Sequence, residues 1–238
     1  MLGDILWYNT IYILDYYVLM GDCRMNYLTN LWNALDFGAM KDLLLRLVSV
    51  FLCLTVHETC HGLAAYALGD PTAKRQHRLS LNPLRHIDWF GLAAMVLVGF
   101  GWAKPVPVNP NYFKNPKRGM ALTALAGPLS NMLLALAALL SVRLLWASAI
   151  GDGVLLFLLE TALLSIGLGL FNLIPIPPLD GSKVLFALLP ENAYRFVLRY
   201  ERYGMILLWV LVLTDIGGDR LSNAIYSVFT FFCQIIGI

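Results

Sequence analysis

Charge-poor stretches that are long enough to cross a lipid bilayer constrain this chain more than any other feature. Residues 43–68 span 26 positions, residues 120–140 span 21 without a charged side chain, and residues 154–174 span 21 with Glu160 as the only charge. A helix of about 20 residues crosses the hydrocarbon core at 1.5 Å per residue. We therefore predict a core of three transmembrane helices.

The overall composition favours a membrane protein and excludes several other classes. Hydrophobic residues occupy 59% of the 238 positions and charged residues 13%, against ~45–50% and ~25% in an average soluble domain. The net charge of +2 is too small to indicate a nucleic-acid surface. The four cysteines show no CxxC spacing, so neither a zinc finger nor a disulfide scaffold is indicated. We expect the lipid bilayer as a partner, and no nucleic acid.

The remaining segments are assigned to the flanks of this core. Residues 1–39 mix aromatic and acidic side chains, which is typical of a leader at the membrane interface. Residues 40–220 are predicted to contain the core, and residues 221–238 a C-terminal hydrophobic helix, which spans the membrane or lies beside it. Residues 203–214 are apolar but short for a span. The predicted fold class is an all-α polytopic membrane protein.

Residues 87–102 are predicted to form a re-entrant or β-hairpin-like segment that does not cross the bilayer. The segment has only 16 residues and three internal glycines. If it crossed, one of its two basic flanks would lie outside, against the preference of Lys and Arg for the cytoplasmic side. The basic residues before it are Lys74, Arg75, Arg78 and Arg85, and those after it are Lys104, Lys114, Lys117 and Arg118.

Residues 57–61, which read His-Glu-Thr-Cys-His, match the HExxH pattern. Histidines at i and i+4 lie one turn apart on one helix face, as two ligands of one Zn²⁺ require, and Glu58 lies where a general base is needed. Each ionisable residue in a spanning helix costs on the order of 2.5–3.5 kcal/mol, which metal binding would offset. The alternative is a cluster of polar side chains that bond one another inside a helix bundle.

A catalytic zinc usually has three protein ligands, so a third ligand must come from another part of the chain. Asp180 is the strongest candidate because it follows three prolines, and broken helix at membrane depth usually lines a cavity. A proline-marked helix end with a capping aspartate would give the same pattern. The other candidates are His77, His86, Asp88, Glu160 and Cys60.

With both motifs in place, the chain resembles the site-2 proteases, which are polytopic intramembrane zinc metalloproteases. That family pairs HExxH in one membrane helix with N-x-x-P-x-P-x-L-D-G in a later one, and residues 172–181 match the second motif at every fixed position. The departures are Thr59 and Cys60, and neither is a ligand position. Three further segments resemble short bacterial members: residues 82–88, 101–107 and 126–131. The resemblance therefore extends over residues 41–210.

The resemblance implies a Zn²⁺ enzyme that cleaves transmembrane or membrane-anchored proteins, in the cell membrane of a prokaryote, with its site toward the cytoplasm. Glu58 would be the catalytic acid and base. The implied ligands are His57, His61 and Asp180. Asn131 would lie near the site and, with Asn172, contact the substrate or the oxyanion, although an Asn that bonds across a helix bundle is an equal alternative for Asn131.

A second hypothesis is a transporter or scaffold that does not cleave proteins, in which the polar cluster carries an ion, because intramembrane carboxylates also mark ion pathways. Bound zinc together with peptidase activity would separate the two hypotheses. The sequence identifies neither a particular substrate nor an oligomeric state.

Overall fold

The computed structural model describes residues 37–91, 103–146, 151–190, 203–214 and 217–238. Within these ranges the chain is helical and contains no strand, and one antiparallel bridge joins Ile87 to Ala103. The main helices are α1 (Phe37–Ala67), α2 (Thr72–Arg75), α3 (Pro116–Leu145), α4 (Asp152–Asn172), α5 (Asp180–Leu188), α6 (Gly204–Thr214) and α7 (Gly218–Ile236).

Three of these helices, α1, α3 and α4, are long and apolar enough to cross a membrane, which confirms the prediction of a three-helix core. Each begins before the apolar stretch that predicted it, and α3 also ends after its stretch. At the start of α3, the side chain of Asn115 accepts a hydrogen bond from the backbone N–H of Arg118 at 3.1 Å, and Pro116 follows it in the first turn. A polar cap of this kind sets the helix end, whereas the apolar stretch marks the part that faces lipid.

The burial pattern of α1 is the reverse of that in a water-soluble helix. Its outward residues are large and apolar, such as Leu44, Val48 and Leu63. Its buried residues are small or polar, and five of them recur every fourth position: Ser49, Cys53, His57, His61 and Ala65. Small and polar residues at helix contacts, with apolar residues outside, are expected when the surroundings are lipid. The chain is therefore a helical membrane protein.

Close packing among the three long helices fixes their relative positions. A Cβ placed on Gly169 of α4 would lie 3.2 Å from the carbonyl oxygen of Pro128 on α3, so the glycine allows the two backbones to approach. Cys53 Sγ lies 3.1 Å from Ser165 Oγ and so joins α1 to α4. The apolar core lies farther along α3 and α4. These contacts fix the part of α1 that carries residues 57–61 against α3 and α4.

Two further helices lie in the described part of the C-terminal third. The apolar residues 203–214 contain α6, and α7 begins three residues before the predicted segment 221–238 and packs against α3 and α4 through Phe229. Residues 1–36 of the predicted leader and residues 92–102 of the predicted hairpin lie outside the described residues.

Candidate metal centre

The two histidines of α1 face one carboxylate from α5. His57 Nε2 lies 3.1 Å from Asp180 Oδ2, and His61 Nε2 lies 3.0 Å from the same oxygen. All three side chains are buried. One ligand atom from each of the three side chains lies within 4.8 Å of the other two, which is close enough for the three to share a metal ion. Within the described ranges, no other group of His, Cys, Asp and Glu side chains meets this condition.

A backbone carbonyl on α3 orients one of these imidazoles. His61 Nδ1 lies 2.7 Å from the carbonyl oxygen of Thr123, so Nδ1–H donates to that oxygen. The Nε2 atom then carries the lone pair and points at Asp180. Metal-binding histidines usually donate their second ring N–H in this way, because the bond fixes both the tautomer and the ring orientation.

The proline segment, residues 173–179, brings Asp180 back to the two histidines of α1. It follows the end of α4 and folds back against the start of α5, where a Cβ on Gly181 would lie only 2.1 Å from the carbonyl oxygen of Leu173. Glycine is therefore required at this position. Asp180 directs Oδ2 at the histidines, and its Oδ1 lies 3.3 Å from Lys183 Nζ. Its carboxylate thus faces the site instead of capping the helix.

The arrangement fits a zinc ion. Two ligand atoms bound to one tetrahedral zinc at ~2.0–2.1 Å would be about 3.3 Å apart, close to the 3.0 and 3.1 Å observed. A Cβ on Gly127 of α3 would lie 2.5 Å from His61 Nε2 and 2.6 Å from His57 Nε2, so the glycine leaves open the space beside both ring nitrogens. Two imidazoles and one carboxylate are also a common donor set of catalytic zinc.

The other candidate ligands lie outside this three-residue group in the described part of the chain. His86 Nε2 is 2.8 Å from the carbonyl oxygen of Ser80. Asp88 Oδ1 accepts hydrogen bonds from the backbone N–H groups of Phe90 and Gly91. Both side chains therefore have structural partners of their own. The candidates outside the group are His77, His86, Asp88, Glu160 and Cys60.

Glu58 is held by a backbone amide from a loop. Its Oε2 accepts a hydrogen bond from Val106 N–H at 2.8 Å. Val106 belongs to an irregular segment, residues 104–109, which we call the strap. The sequence analysis did not anticipate this contact. Its one visible signal is that prolines at 105 and 107 leave Val106 as the only amide donor between them.

The family resemblance implied that Asn131 and Asn172 contact the substrate, and these two asparagines lie in different surroundings. Asn131 lies on α3 one turn after Gly127, is 0% exposed, and has no hydrogen-bond partner among the described residues for either side-chain polar atom. An unpaired buried amide costs about 1–3 kcal/mol, which makes a ligand-binding role reasonable. Asn172 is half-buried and donates its side-chain N–H to the carbonyl oxygen of Leu168 at 2.9 Å, within its own helix.

Comparison with known proteins identifies the family. The model of Peptidase family M50 matches residues 142–214, which include the Asn172-to-Gly181 motif. A protein of Bacillus subtilis, named as a candidate zinc metalloprotease, YwhC, is 39% identical over 176 residues, which cover 71% of this chain and 80% of the relative. The chain belongs to peptidase family M50, the site-2 proteases.

Two further relatives are both named as candidate zinc metalloproteases, Rip2. The Mycolicibacterium smegmatis protein is 28% identical over 190 residues, which cover 76% of this chain and 71% of the relative. The Mycobacterium tuberculosis protein is 30% identical over 194 residues, which cover 76% of this chain and 70% of the relative. No solved structure matches this M50 chain significantly. The resemblance to the site-2 proteases is thus confirmed by similarity over 71–76% of the chain.

Replacing Asp180 by alanine should weaken zinc binding at least tenfold, because only the two imidazoles of α1 would remain. Asp88→Ala is the matched control, since Asp88 was an alternative ligand and lies outside the group. Zinc content and affinity of the purified proteins are measured by elemental analysis and competition with a chelator. Unchanged affinity in Asp180→Ala would reject this ligand.

Replacing Gly127 by alanine should also remove zinc, because the new methyl group would occupy the space beside His57 and His61. Gly167→Ala is the control, since a Cβ there meets only Ile225 at an ordinary 3.5 Å. Thermal unfolding in detergent shows whether each variant is folded. A folded Gly127→Ala protein that retains one zinc per chain would show that the metal binds elsewhere.

Proposed function

We propose that this protein is an intramembrane zinc metalloprotease, which hydrolyses peptide bonds of transmembrane or membrane-anchored proteins in regulated intramembrane proteolysis. The observation that carries the proposal is the convergence of His57 Nε2 and His61 Nε2 on Asp180 Oδ2. The two histidines lie in α1, which is long and apolar enough to span the membrane. Family membership and the names of the relatives support it. The same findings do not favour a transporter or scaffold that lacks peptidase activity.

His57, His61 and Asp180 would hold the zinc ion, so that the HExxH and Leu-Asp-Gly motifs together build one site. Bound there, zinc would supply Lewis acidity, which polarises a scissile carbonyl group and acidifies water. Two of the ligands have further support from the protein: His61 from the carbonyl oxygen of Thr123, and Asp180 from Lys183. Such supporting partners usually strengthen metal binding.

Glu58 would move the proton during hydrolysis. It takes a proton from the attacking water at Oε1, because Oε2 is held by the Val106 amide, and it then gives the proton to the leaving amine nitrogen. The unpaired amide of Asn131, one helical turn from Gly127, would bind the peptide group of the substrate. Asn172 would affect substrate binding indirectly, because it is the last residue of α4 and directly precedes the proline segment.

The substrate must expose its backbone to reach this site. A helical transmembrane segment hides its carbonyl groups in internal hydrogen bonds, so it has to unwind before the scissile bond is attacked. Exposed backbone beside the proposed hairpin would pair with the unwound strand, whereas the proline segment forms consecutive turns and bends. The proposed protease core comprises residues 40–220, and residues 1–39 and 221–238 flank it.

The site would open toward the cytoplasmic side of a prokaryotic cell membrane. Two contacts bring together the basic residues that flank the segment 87–102. Ile87 and Ala103 form an antiparallel bridge, and Lys104 N–H donates to the carbonyl oxygen of His86 at 2.9 Å. This supports a hairpin between them. His61 lies six residues, or about 9 Å, before the end of α1 on that same side. Lys and Arg prefer the cytoplasmic face.

Glu58→Gln should keep zinc and fold but lower hydrolysis at least 100-fold, because the general base is removed while the shape is preserved. Membranes of a bacterial host that expresses the wild type or Glu58→Gln are compared by terminal-labelling mass spectrometry. New protein termini inside apolar segments should appear with the wild type and with the control, Glu160→Gln, and be absent with Glu58→Gln. Equal termini with Glu58→Gln would refute the assignment.

Cysteines introduced at His77 and Lys114 should react with an impermeant thiol reagent from the same, cytoplasmic side of sealed vesicles, because a hairpin returns the chain to its starting face. The background is free of other cysteines. Gly151→Cys, exposed between α3 and α4, is the control and should react from the opposite side. Reaction of positions 77 and 114 from opposite sides would contradict the hairpin.

A further inference from the structure

The strap presents a single backbone amide to Glu58. Its sequence, Lys-Pro-Val-Pro-Val-Asn, contains two prolines that have no N–H, so Val106 has the only amide hydrogen between residues 104 and 108. That hydrogen is donated to Glu58 Oε2 at 2.8 Å. The orientation of the Val106 peptide group therefore determines where one oxygen of the carboxylate lies.

Both ends of the strap are fixed by other parts of the chain. Lys104 N–H donates to the carbonyl oxygen of His86 at 2.9 Å. Asn109 N–H donates to Asp70 Oδ2 at 2.6 Å, and Asp70 is fully buried just after the turn that ends α1. These two bonds set the position of the strap along α1. They do not set the rotation of the peptide group between residues 105 and 106.

Arg78 fixes that rotation. Its Nη2 donates to the carbonyl oxygen of Lys104 at 2.7 Å and to that of Pro105 at 3.2 Å. The Pro105 carbonyl and the Val106 N–H belong to one planar peptide group, in which they point in opposite directions. When Arg78 holds the oxygen on one side, the hydrogen is aimed at Glu58 on the other.

The charges on the two sides of this peptide group reinforce the arrangement. A cation at the carbonyl oxygen and an anion at the amide hydrogen polarise the group in the same sense, which strengthens both hydrogen bonds. Arg78 is only 8% exposed. Burial lowers the pKa of its guanidinium, and the negative charge of Glu58 opposes that change. The guanidinium stays charged at neutral pH, because arginine is not deprotonated in proteins.

We propose that Arg78 is a positioning residue for catalysis, which acts through the peptide group of Pro105 and Val106 to hold the carboxylate of Glu58. The inference rests on the proposed function of Glu58 as the general base. Arg78 itself is the donor to both strap carbonyls and contacts neither Asp180 nor the histidines among the contacts described above. Its loss should therefore affect proton transfer and leave zinc in place.

Hydrogen exchange tests the first step of this inference without any substrate. The strap has four amide hydrogens, on Lys104, Val106, Val108 and Asn109. In detergent-solubilised full-length protein, Arg78→Met should speed exchange at Val106, seen by mass spectrometry as about one extra deuteron in a peptide that covers the strap. The bonds of Lys104 and Asn109 do not involve the Arg78 side chain and serve as internal references. An unchanged peptide would overturn the proposal.

Kinetics test the second step, with a fluorophore-labelled transmembrane protein as substrate, chosen from those whose new termini appear with the wild type in the terminal-labelling experiment. Arg78→Met should lower kcat at least tenfold with KM within twofold and one zinc per chain retained, and Arg78→Lys should restore part of the loss. Arg75→Met, the same change at a neighbouring exposed arginine, should leave the rate unchanged. A kcat within twofold of the wild type, or a loss matched by loss of zinc, would overturn the proposal.

The two measurements separate failure of the inference from failure of the proposed function. A wild-type protein without hydrolytic activity would reject the proposed function, and the exchange result would still decide whether Arg78 holds the Val106 amide. An active wild type whose rate is insensitive to Arg78 would reject the inference alone. If Arg78→Met does not fold, Arg78→Lys and Arg78→Gln replace it, with rates expected in the order Arg, Lys, Gln.

Discussion

The meeting of two imidazoles with one carboxylate, inside an apolar bundle, is the interaction on which the rest of this structure depends. No water is available in the hydrocarbon core to solvate buried polar side chains, so His57 and His61 need partners from the protein or a metal. Asp180 supplies the carboxylate, and it does so from a different helix. The chain must therefore bring the end of α4 and the start of α5 back against α1.

Glycine makes that return possible at two positions. At Gly127 the backbone of α3 passes directly beside both ring nitrogens, and at Gly181 the proline segment folds back onto the start of α5. Any larger residue would place a carbon atom where a ligand or a carbonyl oxygen lies. The inward stripe of small and polar residues on α1 follows from the same requirement. Lipid is as apolar as the helix interior, so no hydrophobic driving force turns large apolar residues inward.

Sequence patterns predicted the parts of the site that depend on local spacing. Helix periodicity placed His57 and His61 on one face, and prolines marked the break before Asp180, since both signals lie within a few residues of the feature they predict. The bond between Glu58 and Val106 joins positions 48 residues apart through a backbone N–H. Every residue except proline carries such a group, so side-chain identity gives little sign of the contact. The carbonyl oxygen of Thr123, which orients His61, escapes sequence analysis for the same reason.

The proposed metal ligands and the proposed catalytic carboxylate are thus supported by different parts of the molecule. Helices α1, α3 and α5 hold the three ligand side chains, and their positions are fixed by helix packing within the bundle. Glu58 shares α1 with the histidines, yet its partner is the strap, which Arg78 and Asp70 hold from the loops that follow α1. A shift of those loops would move the carboxylate and leave the ligands in place. Under the proposed function, a shift of that kind would impair proton transfer before it impairs metal binding.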